Sequence, residues 1–148
     1  MIVELINETE CGFVPQESEF QQWIDAVNTE IAITETDICI TIVDEAESAS
    51  LNHQYRQKNY PTNVLSFHYE QIPGIPNESL GDLAICAEVV RKEAEEQDKP
   101  LLSHFAHMTI HGTLHLLGYD HIVDTEAEKM EALEIKLMTT LGFKNPYV

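Results

Sequence analysis

A chain of 148 residues can build one hydrophobic core that buries roughly two-thirds of the surface its unfolded form exposes, so one domain over residues 1–148 is expected. Hydrophobic residues at 43% and charged residues at 23% exclude a disordered chain. Asp and Glu number 26 against 8 Lys and Arg, and the resulting net charge of −18 counts against nucleic-acid binding through bulk charge.

In chain order, Ile2 to Ile6 reads as a short apolar strand without the basic flank of a signal peptide. Pro15, suited to a first helical turn, introduces Phe20, Trp23, Ile24, Val27 and Ile31 at helical spacing. Residues 37–43 are mostly β-branched and predict a strand covered on both faces. Asp44 and Glu47 form a capping box for a helix carrying Leu51, Tyr55 and Arg56, which Asn59-Tyr60-Pro61 ends. Pro61 to Tyr69 leads into a third strand in which Leu65, Phe67 and Tyr69 alternate. Gln71 to Ser79 holds Pro73, Gly74 and Pro76 and predicts a mobile loop. Leu80 to Cys86 is the last strand, running into a polar helix from about Glu88 to Gln97 that stops at Lys99-Pro100. Leu101 to Leu117 is apolar on most sides and belongs inside the molecule. Thr125 and Glu128 cap a terminal helix that Gly142 closes. This order predicts an α+β fold, a small mixed four-stranded sheet backed by about five helices, with the histidine-bearing helix buried centrally.

That helix carries the chemistry. His111 and His115, four residues apart, project from one helix face and can aim at a common point. Gly118 supplies the left-handed residue that stops the helix, and Tyr119-Asp120 turns the chain so that His121 can approach from the side. Three imidazoles leave the fourth position of a tetrahedral zinc open, as catalytic sites require. The spacing matches the metzincin protease pattern His-Glu-x-x-His-x-x-Gly-x-x-His, except that Gly112 replaces the general-base Glu. Metal chemistry on a substrate other than peptide is therefore expected.

His104 and His107 precede the motif at similar spacing. His104 is about 10 Å of helix rise from His111 and cannot share its metal, whereas His107 and His111 could form an alternative pair. Hydrogen bonding inside the core is the expected task of both. Arg56 is one of only two arginines; it either holds a phosphate with its fork of donors or satisfies carbonyls at its helix end. Arg91 reads as part of a solvated face, as do the acidic stretches 93–96 and 124–134. Asp120 either orients an imidazole, acts as the base that Gly112 cannot be, or makes the turn. Asn63, Ser66 and His68 are donors of which one is expected to line the cleft. Cys11, Cys39 and Cys86 form no zinc-knuckle or disulfide pattern.

The histidine motif, taken with Pro61-Thr62-Asn63-Val64-Leu65-Ser66-Phe67 and Leu80-Gly81-Asp82-Leu83-Ala84-Ile85, resembles the YbeY family of bacterial endoribonucleases over nearly the full length. The resemblance implies zinc-dependent cleavage of single-stranded RNA in rRNA maturation, at the 3′ end of the small-subunit rRNA, and in ribosome quality control. It implies one Zn2+ ion on His111, His115 and His121, with Arg56 as the catalytic basic residue, and it suggests small-subunit ribosomal proteins and an assembly GTPase as partners. A cytoplasmic protein is expected, with neither DNA nor a membrane as partner. The alternatives are a metallopeptidase-like hydrolase of another substrate and a non-enzymatic assembly factor with a structural zinc. Three imidazoles would also accept nickel or copper.

Overall fold

The computed structural model describes residues 1–68, 74, 78–120 and 122–148. The described elements run β1 (Ile2–Asn7), α1 (Glu17–Glu30), β2 (Asp37–Val43), α2 (Glu45–Arg56), β3 (Val64–Phe67), β4 (Ser79–Cys86), α3 (Ala87–Glu96), α4 (Leu101–Leu116) and α5 (Asp124–Thr140). The four strands form one mixed sheet in the order β1-β2-β4-β3, parallel except for β3, which pairs antiparallel with β4. This is the α+β architecture that the order of elements predicts.

Alternation along the strands separates two cores. Ile38, Ile40 and Ile42 of β2 and Leu83 and Ile85 of β4 point into the main core with Phe20, Trp23 and Ile24 of α1, Ile110 and Leu114 of α4, and Met130 and Met138 of α5. Ala84, Cys86, Val43 and Leu65 point the other way, into a smaller cluster that Leu51 of α2 and Phe67 border. Cys39 and Thr41 are only half-buried, so β2 is covered fully on one face, not on both as its β-branched run predicts.

Two helix starts differ from expectation. Pro15 lies before α1 and not in its first turn, which instead opens at Gln16, whose N–H donates to the Glu19 carboxylate at 3.0 Å. At α5 the N-cap is Val123, with no side-chain cap, and Thr125 lies inside the helix. Asp44 does cap α2, accepting from the Glu47 N–H at 2.8 Å. Tyr69 and most of the 71–79 loop lie outside the described residues.

α4 runs through the centre, with eleven of its sixteen residues buried. It packs tightly on the sheet at Gly112, where an added Cβ would fall 2.9 Å from Leu83 Cδ2, 3.0 Å from Val64 Cγ2 and 3.2 Å from Ser66 Oγ. The Ser66 hydroxyl donates to the Gly112 carbonyl at 2.9 Å, tying β3 to the helix at that point. A side chain there would force these neighbours to shift.

Candidate metal centre and cleft

The end of α4 is built by its sequence. Gly118 adopts φ +97°, and the amides of Gly118 and Tyr119 donate to the carbonyls of His115 and Leu114, each at 3.0 Å. This is a Schellman closure, with Tyr119 packed against the core. It has a chemical consequence: the Tyr119 carbonyl comes to rest 3.1 Å from His115 Nδ1, which must then carry the proton and donate. Nε2 of His115 faces His111.

His111 reaches the same state by a different route. Its Nδ1 lies 2.5 Å from Oε1 of Glu134, a carboxylate of α5 with no solvent exposure. Oε2 of Glu134 accepts from His107 Nε2 at 3.0 Å and from the Tyr147 hydroxyl. Burial pushes the Glu134 carboxyl up, but the hydrogen bonds from His107, His111 and Tyr147 outweigh it and hold it below the ordinary glutamate range. An ionised Glu134 accepts only, so His111 donates from Nδ1 and presents Nε2.

The two Nε2 atoms are 3.1 Å apart. Two nitrogens about 2.0–2.1 Å from one tetrahedral zinc are separated by about 3.3 Å, close to the separation found here. The donor set therefore fits a metal ion. His107, His111 and Glu134 also bring one ligand atom each within 4.8 Å of one another, a group that could hold a metal ion. His121 lies outside the described residues.

The two imidazoles border a cleft of about 790 Å³. Arg56 and Asp120 border it too, as do Asn63, Ser66 and His68, so the fold gathers every described residue that the sequence proposes for the site. Arg56 is exposed in the last turn of α2. The α2 carbonyls of Asn52 and His53 are already taken by the amides of Lys58 and Gln57, with Gln57 at φ +60°. The guanidinium is not needed to cap them. Asp120 Oδ1 accepts the Ile122 N–H at 3.0 Å, so the turn role is realised. Tyr119 and Glu134, and not Asp120, hold the described imidazoles.

His104 and His107 do bond within the core, to Glu93 at 2.9 Å and Glu134 at 3.0 Å. Their carboxylate partners correct the reading of 93–96 and 124–134 as solvated faces. Glu95 and Glu96 are exposed and Arg91 pairs with Glu88 and Glu95, but Glu93 is half-buried and also accepts from Asn63 at 3.1 Å. Glu134 is wholly enclosed. Its sequence signal is phase: Met130, Glu134, Leu137 and Met138 share one stripe of α5, where an acid needs a buried partner.

A sequence profile described as endoribonuclease YbeY matches residues 6–142. The chain belongs to the YbeY endoribonuclease family. For that family RNA is the implied substrate class. The solution structure of TM1509 from Thermotoga maritima shares the fold, with a TM-score of 0.60 and 21% identity over 94% of this chain and 91% of that one. Against the metzincin pattern, the YbeY-family Gly112 is explained by packing, since a Glu there would collide with β3 and β4.

Proposed function

We propose that this chain, acting as one domain over residues 1–148, is a zinc-dependent endoribonuclease that cleaves single-stranded RNA in rRNA maturation, at the 3′ end of the small-subunit rRNA, and in ribosome quality control. The observation that carries the reading is the pair of Nε2 atoms 3.1 Å apart at the wall of a cleft that Arg56 shares.

His111 and His115 would hold the ion through Nε2, with His121 as third ligand. Bound there, Zn2+ supplies Lewis acidity toward a phosphoryl oxygen. Glu134 and the Tyr119 carbonyl keep both rings in the Nδ1–H tautomer, so no reorganisation is needed before a ligand binds. The Arg56 fork holds the scissile phosphate and stabilises the charge that grows on its oxygens. Asp120, with Oδ1 on the Ile122 amide, offers Oδ2 as the acceptor of the attacking group's proton.

His107, His111 and Glu134 make a poorer seat for a catalytic ion. Both Glu134 oxygens already accept hydrogen bonds, and the carboxylate has no exposure through which a substrate could arrive. A peptidase is opposed by the absence of room for a carboxylate at Gly112. A cytoplasmic setting with small-subunit ribosomal proteins and an assembly GTPase as partners completes the proposal. No described helix is long and apolar enough to cross a membrane.

The test uses purified protein, metal analysis and a single-stranded precursor rRNA fragment. Wild type should carry one zinc and cut the fragment. His115→Ala should lose both properties and Arg56→Ala cleavage alone. Cleavage unchanged in His115→Ala would refute the assignment, and metal retained there but lost in His107→Asn would move the ion to the inner group.

A further inference from the structure

The chain carries a net charge of −18, yet the proposed substrate is a polyanion. Arg56 supplies one cation at the cleft, and binding a strand needs more than one phosphate contact. The surface around Arg56 offers a different source of affinity.

Behind Arg56, on the half-covered face of the sheet, lies a second cavity of about 390 Å³. Tyr55, Phe67 and His68 border both this cavity and the metal cleft, so they form the wall the two share. Tyr55 is 60% exposed, so most of its ring surface is open to a partner. Its ring meets that of Phe67 edge-to-face, with centroids 4.9 Å apart and planes at 62°, an arrangement that does not cover both faces of both rings. Within six residues the chain exposes Tyr55, Arg56, Lys58 and Tyr60, with Lys58 Nζ 6.0 Å from the centre of the Tyr60 ring. Aromatic rings interleaved with cations are how single strands are held without sequence preference. The far side of the cavity is lined by Thr41 and by Asp82, whose carboxylate repels a phosphate but not a neutral base.

We propose that this cavity is a nucleobase subsite: the base adjoining the scissile phosphate stacks on Tyr55 beside Phe67, while Arg56 takes the phosphate in the neighbouring cleft. The inference rests on the endoribonuclease reading and names what that site recognises. Selection of single strands follows, because a base held in a duplex cannot leave its stack to enter the cavity. The affinity comes from ring surface, which lets an acidic chain hold RNA with a shallow dependence on salt.

The test separates stacking from cleavage by using strands that cannot be cut. Binding of a fluorescein-labelled, 2′-O-methylated single-stranded oligonucleotide is measured by anisotropy beside an abasic strand of equal length. The proteins are wild type, Tyr55→Phe and Tyr55→Ala, with circular dichroism as the check on folding. Wild type and Tyr55→Phe should bind the base-bearing strand alike, and Tyr55→Ala about tenfold more weakly. The abasic strand should bind weakly to all three. Equal binding of the two strands by wild type, or undiminished binding by folded Tyr55→Ala, overturns the subsite. If Tyr55→Ala is misfolded, the strand comparison on wild type and Tyr55→Phe still decides. Loss of binding in a protein that cuts no RNA would leave the subsite standing and the nuclease reading fallen; cleavage with unaltered Tyr55→Ala binding would do the reverse.

Discussion

The two halves of α4 carry the same side chain in opposite states. In the first half, His104 and His107 give their Nε2 protons to Glu93 and Glu134, and their buried Nδ1 atoms have no partner among the described residues. In the second half, His111 and His115 donate from Nδ1 and turn Nε2 to a shared point. An unpaired imidazole lone pair is a tolerable loss inside a core, whereas two Nε2 atoms converging beside a cleft offer a seat for a cation. Residue type and helical spacing are common to both halves. The difference lies in which ring nitrogen meets the partner: Glu93 and Glu134 take the Nε2 side of one pair, while the Tyr119 carbonyl and the far oxygen of Glu134 take the Nδ1 side of the other.

The sharpest way to break this comparison is to exchange roles. His115→Asn should lose the bound zinc and reduce RNA cleavage by at least about a thousandfold, with little change in thermal stability. His104→Asn should do the opposite, lowering stability while keeping the metal. Equal losses of metal in the two variants, measured by elemental analysis, would erase the distinction between the halves.

Glu134 belongs to both halves, so its removal should harm both. Glu134→Ala leaves His107, His111 and Tyr147 without their acceptor, and a loss of at least about 3 kcal/mol in denaturant unfolding is expected. Zinc affinity should fall by about ten- to a hundredfold, because the His111 ring loses the group that orients it. Full zinc affinity in a folded Glu134→Ala protein would show that Glu134 has no part in ligation.

A smaller effect is expected where α4 rests on the sheet. Gly112→Ala forces a methyl against Val64, Leu83 and Ser66 and should cost about 1–3 kcal/mol. If stability is unchanged, steric exclusion does not explain the missing glutamate.

The smallest effect concerns Glu93. Burial raises its carboxyl, but hydrogen bonds from His104 and Asn63 prevail and hold it below the ordinary glutamate range. A carboxylate whose folded value is depressed adds stability that is complete above its unfolded value and is lost as pH falls through the folded one. Unfolding followed from pH 6 to pH 3 should therefore show a shallower loss of stability in Glu93→Gln than in wild type. Identical slopes would mean that the Glu93 contacts do not persist in solution.

Much of this was legible from the chain. Hydrophobic register together with cap and stop signals marked the nine described elements to within a few positions, because a stripe, a face or a cap is written in neighbouring residues. His111, His115, Gly118 and the turn to Asp120 were readable for the same reason: a helix and its closure place them, and both are written in adjacent residues. Arg56 could be singled out by scarcity, but its meeting with the histidines depends on how β3 packs against α4.

What the sequence could not supply is the partner set, since partners lie far apart along the chain. Glu93 and Glu134 sit in acidic stretches that look solvated in one dimension, and only the packing of α3 and α5 against α4 sets them opposite histidines. Gly112 reads as a departure from a motif until side chains of the sheet are seen about 3 Å from where its Cβ would stand. Helical spacing decides which rings share a face, but a proton's place on an imidazole is decided by whatever atom the fold brings to its other nitrogen.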